Sequence, residues 1–296
     1  MGERDELAAR FEGERPRLRG VAYRMLGSPA EADDAVQEAW IRLDRSRSEE
    51  VENLRAWLTT VVARICLNVL RSRNARREEP LDTVHVPDPV VGPAPSSDPE
   101  EEALTADAVG LALLVVLDTL TPAERLAFVL HDVFAMPFAE IAPMVERTPE
   151  ATRQLASRAR RRVRGAAPAP DVGLAAQRQV VDAFFVAGRA GDLEGLLAVL
   201  DPEVTLRADF GGGRGRTVRG ADAVAGQARM YGDPDRDVRP VTVNGAAGAL
   251  VMAGGRPVSL MAFTVTAGRV AAIHVLGDGE RLARLDLAAL GLPDAG

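Results

Sequence analysis

Two proline-rich segments divide this chain of 296 residues and limit what each part of it can fold into. Six prolines lie between residues 78 and 99, and residues 165–170 read Gly-Ala-Ala-Pro-Ala-Pro. Proline has no backbone N–H to donate and is disfavoured inside a helix, so neither segment can form a regular helix. The sequence therefore predicts three folded parts joined by two linkers. In chain order these are a first part at 1–78, a linker at 79–102, a second part at 103–164, a linker at 165–170 and a third part at 171–296.

The composition excludes several classes of protein. Hydrophobic residues at 47% and charged residues at 27% are typical of globular chains and exclude wholesale disorder. The single cysteine, Cys66, cannot form an internal disulfide or a thiolate metal cluster, which favours a reducing compartment. The longest apolar run, Val109–Leu117, is shorter than the about 20 residues of a membrane-spanning helix, and the first residues form no apolar signal segment. We therefore expect a cytoplasmic protein.

The net charge of -7 conceals two strongly basic segments. Residues 64–77 hold five arginines and residues 153–164 hold six, and neither segment contains an acid. Basic helices within an acidic chain can contact DNA locally although the whole protein binds free DNA poorly.

The first part is predicted to be helical, with one acidic face. Ser28-Pro29-Ala30-Glu31 is typical of a capped helix start. The helix that follows has an apolar face made of Ala32, Ala35, Val36, Ala39, Trp40 and Leu43. Its opposite face carries Asp33, Asp34, Gln37 and Glu38, which is also what an ordinary solvated helix shows. A long helix is predicted from Leu54 to Arg77, with a buried stripe of Leu54, Leu58, Val61, Ile65 and Val69.

The second part has the layout of a helix-turn-helix. Helix starts are predicted at Thr121-Pro122 and Thr148-Pro149, with a short helix from Ala139 to Met144 between them. The last helix has a predicted buried stripe of Ala151, Leu155, Ala159 and Val163. Its arginines therefore project outward, as in helices that enter the major groove. A plain helical bundle with a solvated basic face is the alternative.

The third part changes to a mixture of helices and strands. Two helices are predicted at 177–188 and 192–200, followed by alternating apolar strands. The strands are predicted at 204–208, 238–243, 249–252, 258–266 and 270–275. The fold class is therefore multidomain: two all-α domains followed by an α+β domain with a curved, antiparallel sheet forming a cone.

Several of these motifs together resemble a known family. Residues 18–27 and 32–43, with Leu54-Arg55-Ala56-Trp57-Leu58 and the long helix after it, resemble region 2 of bacterial extracytoplasmic-function (ECF) sigma factors. Leu120-Thr121-Pro122-Ala123-Glu124-Arg125 and the helix-turn-helix are similar to region 4. Residues 171–296 resemble the SnoaL-like, NTF2-like cone, and the whole chain resembles the SigJ-type, ECF41-like sigma factors that carry this fusion.

The resemblance implies a role for each helical surface. Asp33, Asp34, Gln37 and Glu38 would dock on the clamp helices of the largest RNA polymerase subunit, and region 4 would contact the flap of the second largest. The residues implied at the -10 element, where one base is extruded from the stack, are Asn53, Arg71, Arg73, Arg76 and Arg77. Those implied at the -35 element are Thr148, Arg153, Gln154, Ser157, Arg158 and Arg161.

The resemblance also implies a regulatory contact between the linker and the third part. The group has Trp-Leu-Pro-Glu-Pro in the linker and Asp-Gly-Gly-Gly-Lys in the tail; here residues 85–89 read His-Val-Pro-Asp-Pro and residues 209–214 read Asp-Phe-Gly-Gly-Gly-Arg. The residues implied in this contact are Pro87, Asp88, Pro89, Asp209, Gly211, Gly212, Gly213 and Arg214. We expect the tail to regulate in cis, inhibiting through its extreme C-terminus and assisting through this contact, with no dedicated anti-sigma protein. A plain hairpin turn is the alternative for the glycines.

Two other functions stay open at this point. One is an ordinary helix-turn-helix regulator whose tail senses a ligand, and a small apolar ligand in the tail fits either function. The other is a tail-borne isomerase or cyclase, for which Asp209, Asp222 and His274 are the candidate acid–base residues. We expect no catalytic residue, no cofactor and no metal, because the histidines and Cys66 lack the spacing of metal ligands.

Overall fold

The computed structural model describes residues 3–45, 53–76, 84–94, 110–166, 173–228 and 235–292. The chain forms two compact units, and each is discontinuous in sequence. The helical unit takes its residues from 1–79 and 116–166, and the sheet unit from 80–115 and 167–296. No helix among the described residues is both long enough and apolar enough to cross a membrane.

The helical unit contains both predicted helical parts. Its helices in the first part are α1 (Glu3–Leu26), α2 (Pro29–Arg45) and α3 (Leu54–Arg76). In the second part, α4 (Leu111–Asp118) crosses from one unit to the other, and it is followed by α5 (Pro122–Phe128), a π-helical turn (Val129–Val133), α6 (Phe138–Ile141), a 3-10 turn (Ala142–Met144) and α7 (Pro149–Ala166).

Side-chain caps fix where these helices begin. The Thr121 hydroxyl accepts a hydrogen bond from the Glu124 backbone N–H, and the Glu124 carboxylate accepts one from the Thr121 N–H. This reciprocal capping box satisfies N–H groups that the first turn of α5 leaves unpaired. Thr148 caps α7 and Asn53 caps α3 in the simpler way, through one side-chain oxygen each.

Two of the predicted buried stripes are displaced by one residue. In α2 the predicted apolar residues are buried, except for Trp40, which is half-buried against Phe11. In α3 the fully buried residues after Leu58 are Thr59, Val62, Ala63, Cys66, Leu67 and Leu70, whereas Val61, Ile65 and Val69 are half-buried. In α7 Thr152, Ala156 and Ala159 are buried, and Ala151, Leu155 and Val163 are half-buried. Residues one position apart differ by about 100° around a helix, so the direction of the packing neighbours decides which stripe is covered.

A buried arginine joins the two predicted parts within the helical unit. Arg125 on α5 is 2% exposed. Its Nε donates to the Arg24 carbonyl on α1 at 3.0 Å, and its Nη1 donates to Asp118 at 3.1 Å. Burial lowers the pKa of Arg125, and the neighbouring carboxylate of Asp118 opposes that shift. A buried cation persists only when it is paired in this way, so Arg125 fixes α5 against α1.

The sheet unit has helices against one twisted seven-stranded sheet. It contains α8 (Leu174–Ala190), α9 (Leu193–Val199), α10 (Ala221–Ala228) and α11 (Gly279–Leu282). Its strands are β1 (Val91–Pro93), β2 (Leu200–Asp209), β3 (Gly215–Arg219), β4 (Arg236–Val243), β5 (Ala246–Ala253), β6 (Arg256–Thr266) and β7 (Arg269–Leu276). The strand order is β1-β4-β5-β6-β7-β2-β3. The core between helices and sheet is built around Phe184, Phe185 and Phe263, whose rings pack edge to face.

The sheet differs from the predicted one in two respects. All five predicted strands are present, but β2 pairs with β7 in parallel, whereas the prediction was antiparallel throughout. Two short strands were not predicted: β3, which pairs with β2, and β1, which comes from the proline-rich linker and pairs with β4. Both lie at sheet edges, where a strand needs few apolar residues because one of its sides has no strand beside it.

We predict that Arg125→Met destabilises the helical unit by about 3 kcal/mol, because it leaves the Asp118 carboxylate and the Arg24 carbonyl without their buried partner. Both tryptophans of the chain, Trp40 and Trp57, lie in α2 and α3, so tryptophan fluorescence during urea unfolding reports on this unit. Arg10→Met, an exposed change on α1, is the matched control and should shift stability by less than about 0.5 kcal/mol. Equal stabilities of the two variants would show that Arg125 does not hold the unit together.

Candidate nucleic-acid interface and linker clasp

The acidic face of α2 is exposed. Asp33, Asp34 and Gln37 are exposed and Glu38 is half-buried. Asp33 accepts hydrogen bonds from Arg19 of α1 at 2.7 Å, and Glu38 pairs with Arg42 one turn later at 2.9 Å. Exposed pairs of this kind are weak and can exchange for intermolecular ones, so the face is available for docking.

The residues predicted at the -10 element are largely engaged within the helical unit. Asn53 caps α3 through its side-chain oxygen, at 3.1 Å from the Ala56 nitrogen. Arg71 lies 3.7 Å from the Glu146 carboxylate. Arg73 forms an ion pair with Glu31 and also donates to the Leu26 carbonyl. Arg76 ends α3, and Arg77 lies outside the described residues.

The residues predicted at the -35 element form one exposed face of α7. Arg153, Gln154, Ser157, Arg158 and Arg161 all project into solvent. The Arg153 guanidinium lies over the Phe138 ring at 5.5 Å, a cation–π contact that tethers it to the preceding helix α6. Two further arginines of the helix are held by acids: Arg160 by Asp132 at 2.5 Å and Arg162 by Glu124 at 2.9 Å.

The arginines of α7 thus fall into two groups, those paired with an acid and those exposed to solvent. Arg160 and Arg162 join α7 to the helices behind it, so their charges are partly neutralised. The predicted reading face keeps its guanidinium groups in solvent, where a phosphate or a base edge can reach them. Thr148 caps the N-terminus of the helix, because its hydroxyl accepts a hydrogen bond from the Ala151 N–H at 3.2 Å.

The two predicted DNA-binding modules contact one another inside the helical unit. The ring of Phe134 lies beneath two guanidinium groups of α1, from Arg17 at 5.4 Å and from Arg24 at 5.2 Å. Together with the buried Arg125 and the pair between Arg71 and Glu146, these contacts hold the helix-turn-helix against the first three helices.

A single arginine binds both the linker and the end of strand β2 in the sheet unit. Arg281 on α11 donates through Nη1 to Asp209 at 3.0 Å, through Nε to Asp88 at 2.6 Å and through Nη2 to the Val86 carbonyl at 2.6 Å. Asp209 also accepts a hydrogen bond from the Val86 N–H at 3.0 Å. We call these four residues the linker clasp. The planar fork of a guanidinium suits this arrangement, because it directs several N–H groups at acceptors at once.

The linker continues from the clasp into the edge strand β1. The Val90 N–H donates to the Asn244 side chain at 3.0 Å, and the Asn244 N–H donates back to the Val90 carbonyl at 2.8 Å. From there Val91 to Pro93 run antiparallel to Val241–Val243. Residues 84–94 therefore belong physically to the sheet unit, although their composition predicts only a linker.

The glycine loop positions Asp209 and leaves room for the linker. Gly211, Gly212 and Gly213 have φ of 73°, 59° and 73°, a conformation that favours glycine. The loop folds back so that the Asp209 carboxylate also accepts from the Gly211 N–H at 3.0 Å. At Gly215, which follows the loop, a Cβ atom would lie 2.6 Å from Val84, so the linker approaches that backbone as closely as glycine permits.

Only some of the predicted regulatory residues belong to the linker clasp. Asp88 and Asp209 are in the clasp, and Pro87 is buried beside them, whereas Pro89 is half-buried. The Arg214 guanidinium donates to carbonyls of its own turn, those of Phe210 and Gly211. Arg281, which was not among the predicted residues, is the cation that joins the two acids. No local signal marks it, because Asp209 and Asp88 lie 72 and 193 positions away.

The clasp keeps Asp209 ionised. Burial raises the pKa of this carboxyl, but hydrogen bonds from His85, Val86 and Gly211 and the charge of Arg281 outweigh burial and hold the pKa well below its usual value. The carboxylate form is therefore the one that holds the linker. The stability that the Asp209 carboxylate gives to the docked linker is fully present at neutral pH. It is lost only as the pH falls below the usual pKa range of aspartate.

The candidate acid–base residues of the tail are poorly suited to proton transfer. Asp209 is committed to Arg281 and holds no proton near neutral pH. His274 in β7 is buried, and burial together with the nearby Arg207 lowers its pKa to about 3. Asp222 is exposed at the start of α10. Among the residues that the structure describes, no cluster of histidine, cysteine and carboxylate side chains could hold a metal ion.

Comparison with known proteins agrees with these two helical modules. The family model for sigma-70 region 2 matches residues 11–76, and that for sigma-70 region 4 matches residues 110–163. The chain is 41% identical to the ECF RNA polymerase sigma factor SigJ of Mycobacterium tuberculosis, over 94% of this chain and 90% of that protein. It is 37% identical to the probable ECF sigma factor SigI of the same organism, over 93% of this chain and 94% of the relative.

A solved structure extends the likeness to the whole fold. The crystal structure of Mycobacterium tuberculosis SigJ superposes with a TM-score of 0.71 at 34% identity, covering 97% of this chain and all of that one. A single helix-turn-helix regulator would not account for region 2, so that alternative is not favoured. The chain belongs to the extracytoplasmic-function RNA polymerase sigma factors, and it directs core RNA polymerase to specific promoter DNA for transcription initiation.

Proposed function

We propose that the sheet unit regulates this sigma factor in cis by holding the linker between regions 2 and 4. The observation that carries the proposal is the linker clasp, in which one guanidinium binds Asp88 and Asp209 and the Val86 carbonyl. The edge strand β1 adds backbone hydrogen bonds over the next residues. The tail acts as a regulator in the cytoplasm and has no enzymatic activity; in support, its candidate acid–base residues lack a suitable pKa or a shielded position.

Docking of the linker fixes the middle of the tether between the two DNA-binding modules. The tether from Arg76 to Leu111 contains 34 residues, which fully extended span at most about 115 Å. With residues 84–94 held on the sheet, the segments of 7 and 16 residues on either side reach at most about 25 Å and about 55 Å from this docked segment. Fixing part of the tether restricts the volume that one module can search once the other has bound, and so raises its effective concentration at its promoter element, provided that the span still fits. The docked linker therefore assists initiation.

The finer assignment of the surfaces follows the family pattern. The acidic face of α2 binds the clamp helices of the largest polymerase subunit, and region 4 binds the flap of the second largest. The α3 arginines contact the -10 element after their intramolecular partners release them, and the exposed face of α7 reads the -35 element. That no dedicated anti-sigma protein acts on the chain stays a prediction.

Removing the central cation of the clasp tests the regulation. Arg281→Gln should lower promoter-specific run-off transcription by the reconstituted holoenzyme about fivefold while leaving core binding unchanged, because the tether is no longer held. Arg284→Gln, an exposed change three residues later, is the matched control and should retain full activity. Equal activity of both variants would contradict regulation through the linker. Point changes suit this test better than a chain ended near Ala272, since that end would remove half of β7, an interior strand of the sheet.

A second test concerns the -35 contact. Arg158→Ala should reduce promoter-specific initiation about tenfold, since a bidentate contact of arginine with guanine contributes about 1–3 kcal/mol of discrimination. Arg153→Ala should act in the same direction. Arg164→Ala, at the exposed end of the same helix and outside the predicted reading face, is the control for the loss of one positive charge. Normal initiation by both variants would place the -35 contact elsewhere.

The polymerase contact of α2 is tested by charge reversal. The double change Asp34→Arg and Glu38→Arg should weaken retention of the chain by immobilised core polymerase at least tenfold, because like charges would face each other across the interface. Glu6→Arg, an exposed reversal on α1, should retain normal binding. If the doubly reversed chain is retained as well as the control, the docking face is wrong.

A further inference from the structure

The sheet unit encloses a cavity that the sigma-factor activity does not use. It measures about 210 Å³ and lies between α8, α10 and the sheet. Most of its wall is apolar and comes from Phe184, Leu206, Ala208, Val224 and Val275. An apolar cavity of about 150 Å³ can hold benzene, so this one has room for a single ring with substituents.

One end of the cavity is polar. Gln227 lines the cavity, and its buried side-chain oxygen has no hydrogen-bond partner among the described residues. Buried polar atoms are normally paired, so an amide oxygen without a partner in the wall of a cavity can accept a hydrogen bond from the hydroxyl group of an occupant once its side chain turns toward it. Arg216 and Arg236 also line the cavity. Arg216 is exposed at its mouth, where its guanidinium favours a carboxylate.

The mouth of the cavity connects directly to the linker clasp. Phe210 lines the cavity and is 37% exposed. It is the residue after Asp209, and its ring packs on Gly277, where a Cβ atom would lie 2.6 Å from the ring. The Gly277 N–H in turn donates to the Asp209 carbonyl at 2.7 Å. The position of the Phe210 ring and the position of the Asp209 carboxylate are therefore fixed by the same short segment.

We propose that this cavity binds a hydroxylated single-ring carboxylic acid, and that its occupation stabilises the docked linker through Phe210. The hydroxyl donates to Gln227, the ring packs against the phenylalanines, and the carboxylate faces Arg216. The cavity exists with Phe210 in the position that accompanies the closed clasp, so an occupant binds that state preferentially and shifts the population toward it. The regulatory part of this inference rests on the proposed action of the linker; the binding part does not.

Binding is tested with the full-length chain and 4-hydroxybenzoate, by titration calorimetry, with its methyl ester as the uncharged comparison. The acid should bind about fivefold more tightly than the ester. Gln227→Leu should weaken binding of both at least tenfold, and Arg216→Gln should make acid and ester bind alike. Arg219→Gln, on the same strand but outside the cavity lining, should preserve the preference for the acid. Absence of binding by both probes, or unaltered binding in Gln227→Leu, would overturn the site.

Coupling is tested by hydrogen exchange of the backbone amides in residues 84–94, which include the bonded N–H groups of Val86 and Val90. Saturating 4-hydroxybenzoate should slow their exchange at least threefold in the natural chain. In Phe210→Leu, which keeps an apolar wall, the acid should still bind but should no longer slow exchange. Binding without slowed exchange in the natural chain would refute the coupling. Calorimetry and hydrogen exchange use no polymerase. A failure of this inference can therefore be distinguished from a failure of Arg281→Gln to change transcription.

Discussion

The guanidinium of Arg281 is the contact on which the organisation of the sheet unit depends. It binds two carboxylates and one carbonyl that come from two distant parts of the chain, and all lie within 3.0 Å. Without it, the negative charges of Asp88 and Asp209 would no longer be joined by a cation, and the linker would be held only by its backbone hydrogen bonds and by β1. The glycine loop and the edge strand β1 then fit around this pair, since each brings the linker backbone close to the sheet.

Buried charge plays a comparable part in the helical unit. Arg125 of α5 is paired with one carboxylate from α4 and one backbone carbonyl from α1, although its buried Nη2 has no hydrogen-bond partner among the described residues. A paired buried charge specifies one arrangement more strictly than apolar packing does, because any shift leaves a polar group unpaired. The two DNA-binding modules thus have a defined mutual contact within this unit, and the arginines predicted to bind DNA at the -10 element are partly satisfied by acids of the same unit. In the proposed function, promoter binding exchanges these intramolecular partners for phosphates.

Local signals in the sequence predicted much of the helical unit. The capping residues at Thr121 and Thr148 fixed the helix starts, and they depend only on neighbours within three residues. The exposed faces of α2 and α7 followed from helical periodicity. The exact buried stripes of α3 and α7 did not, because several helices pack around each of them, and the direction of these neighbours cannot be read from one helix alone.

What the sequence determined by itself was the family, the order of the folded parts and the chemistry of the exposed helical faces, since each arises from residues close together in the chain. The tertiary structure alone decided the partner of Asp209, the pairing of the linker strand with β4 and the position of Gln227 beside an apolar cavity. These features join residues up to 193 positions apart, and one arginine among many acquires its role only when the fold brings two acids and a carbonyl within its reach.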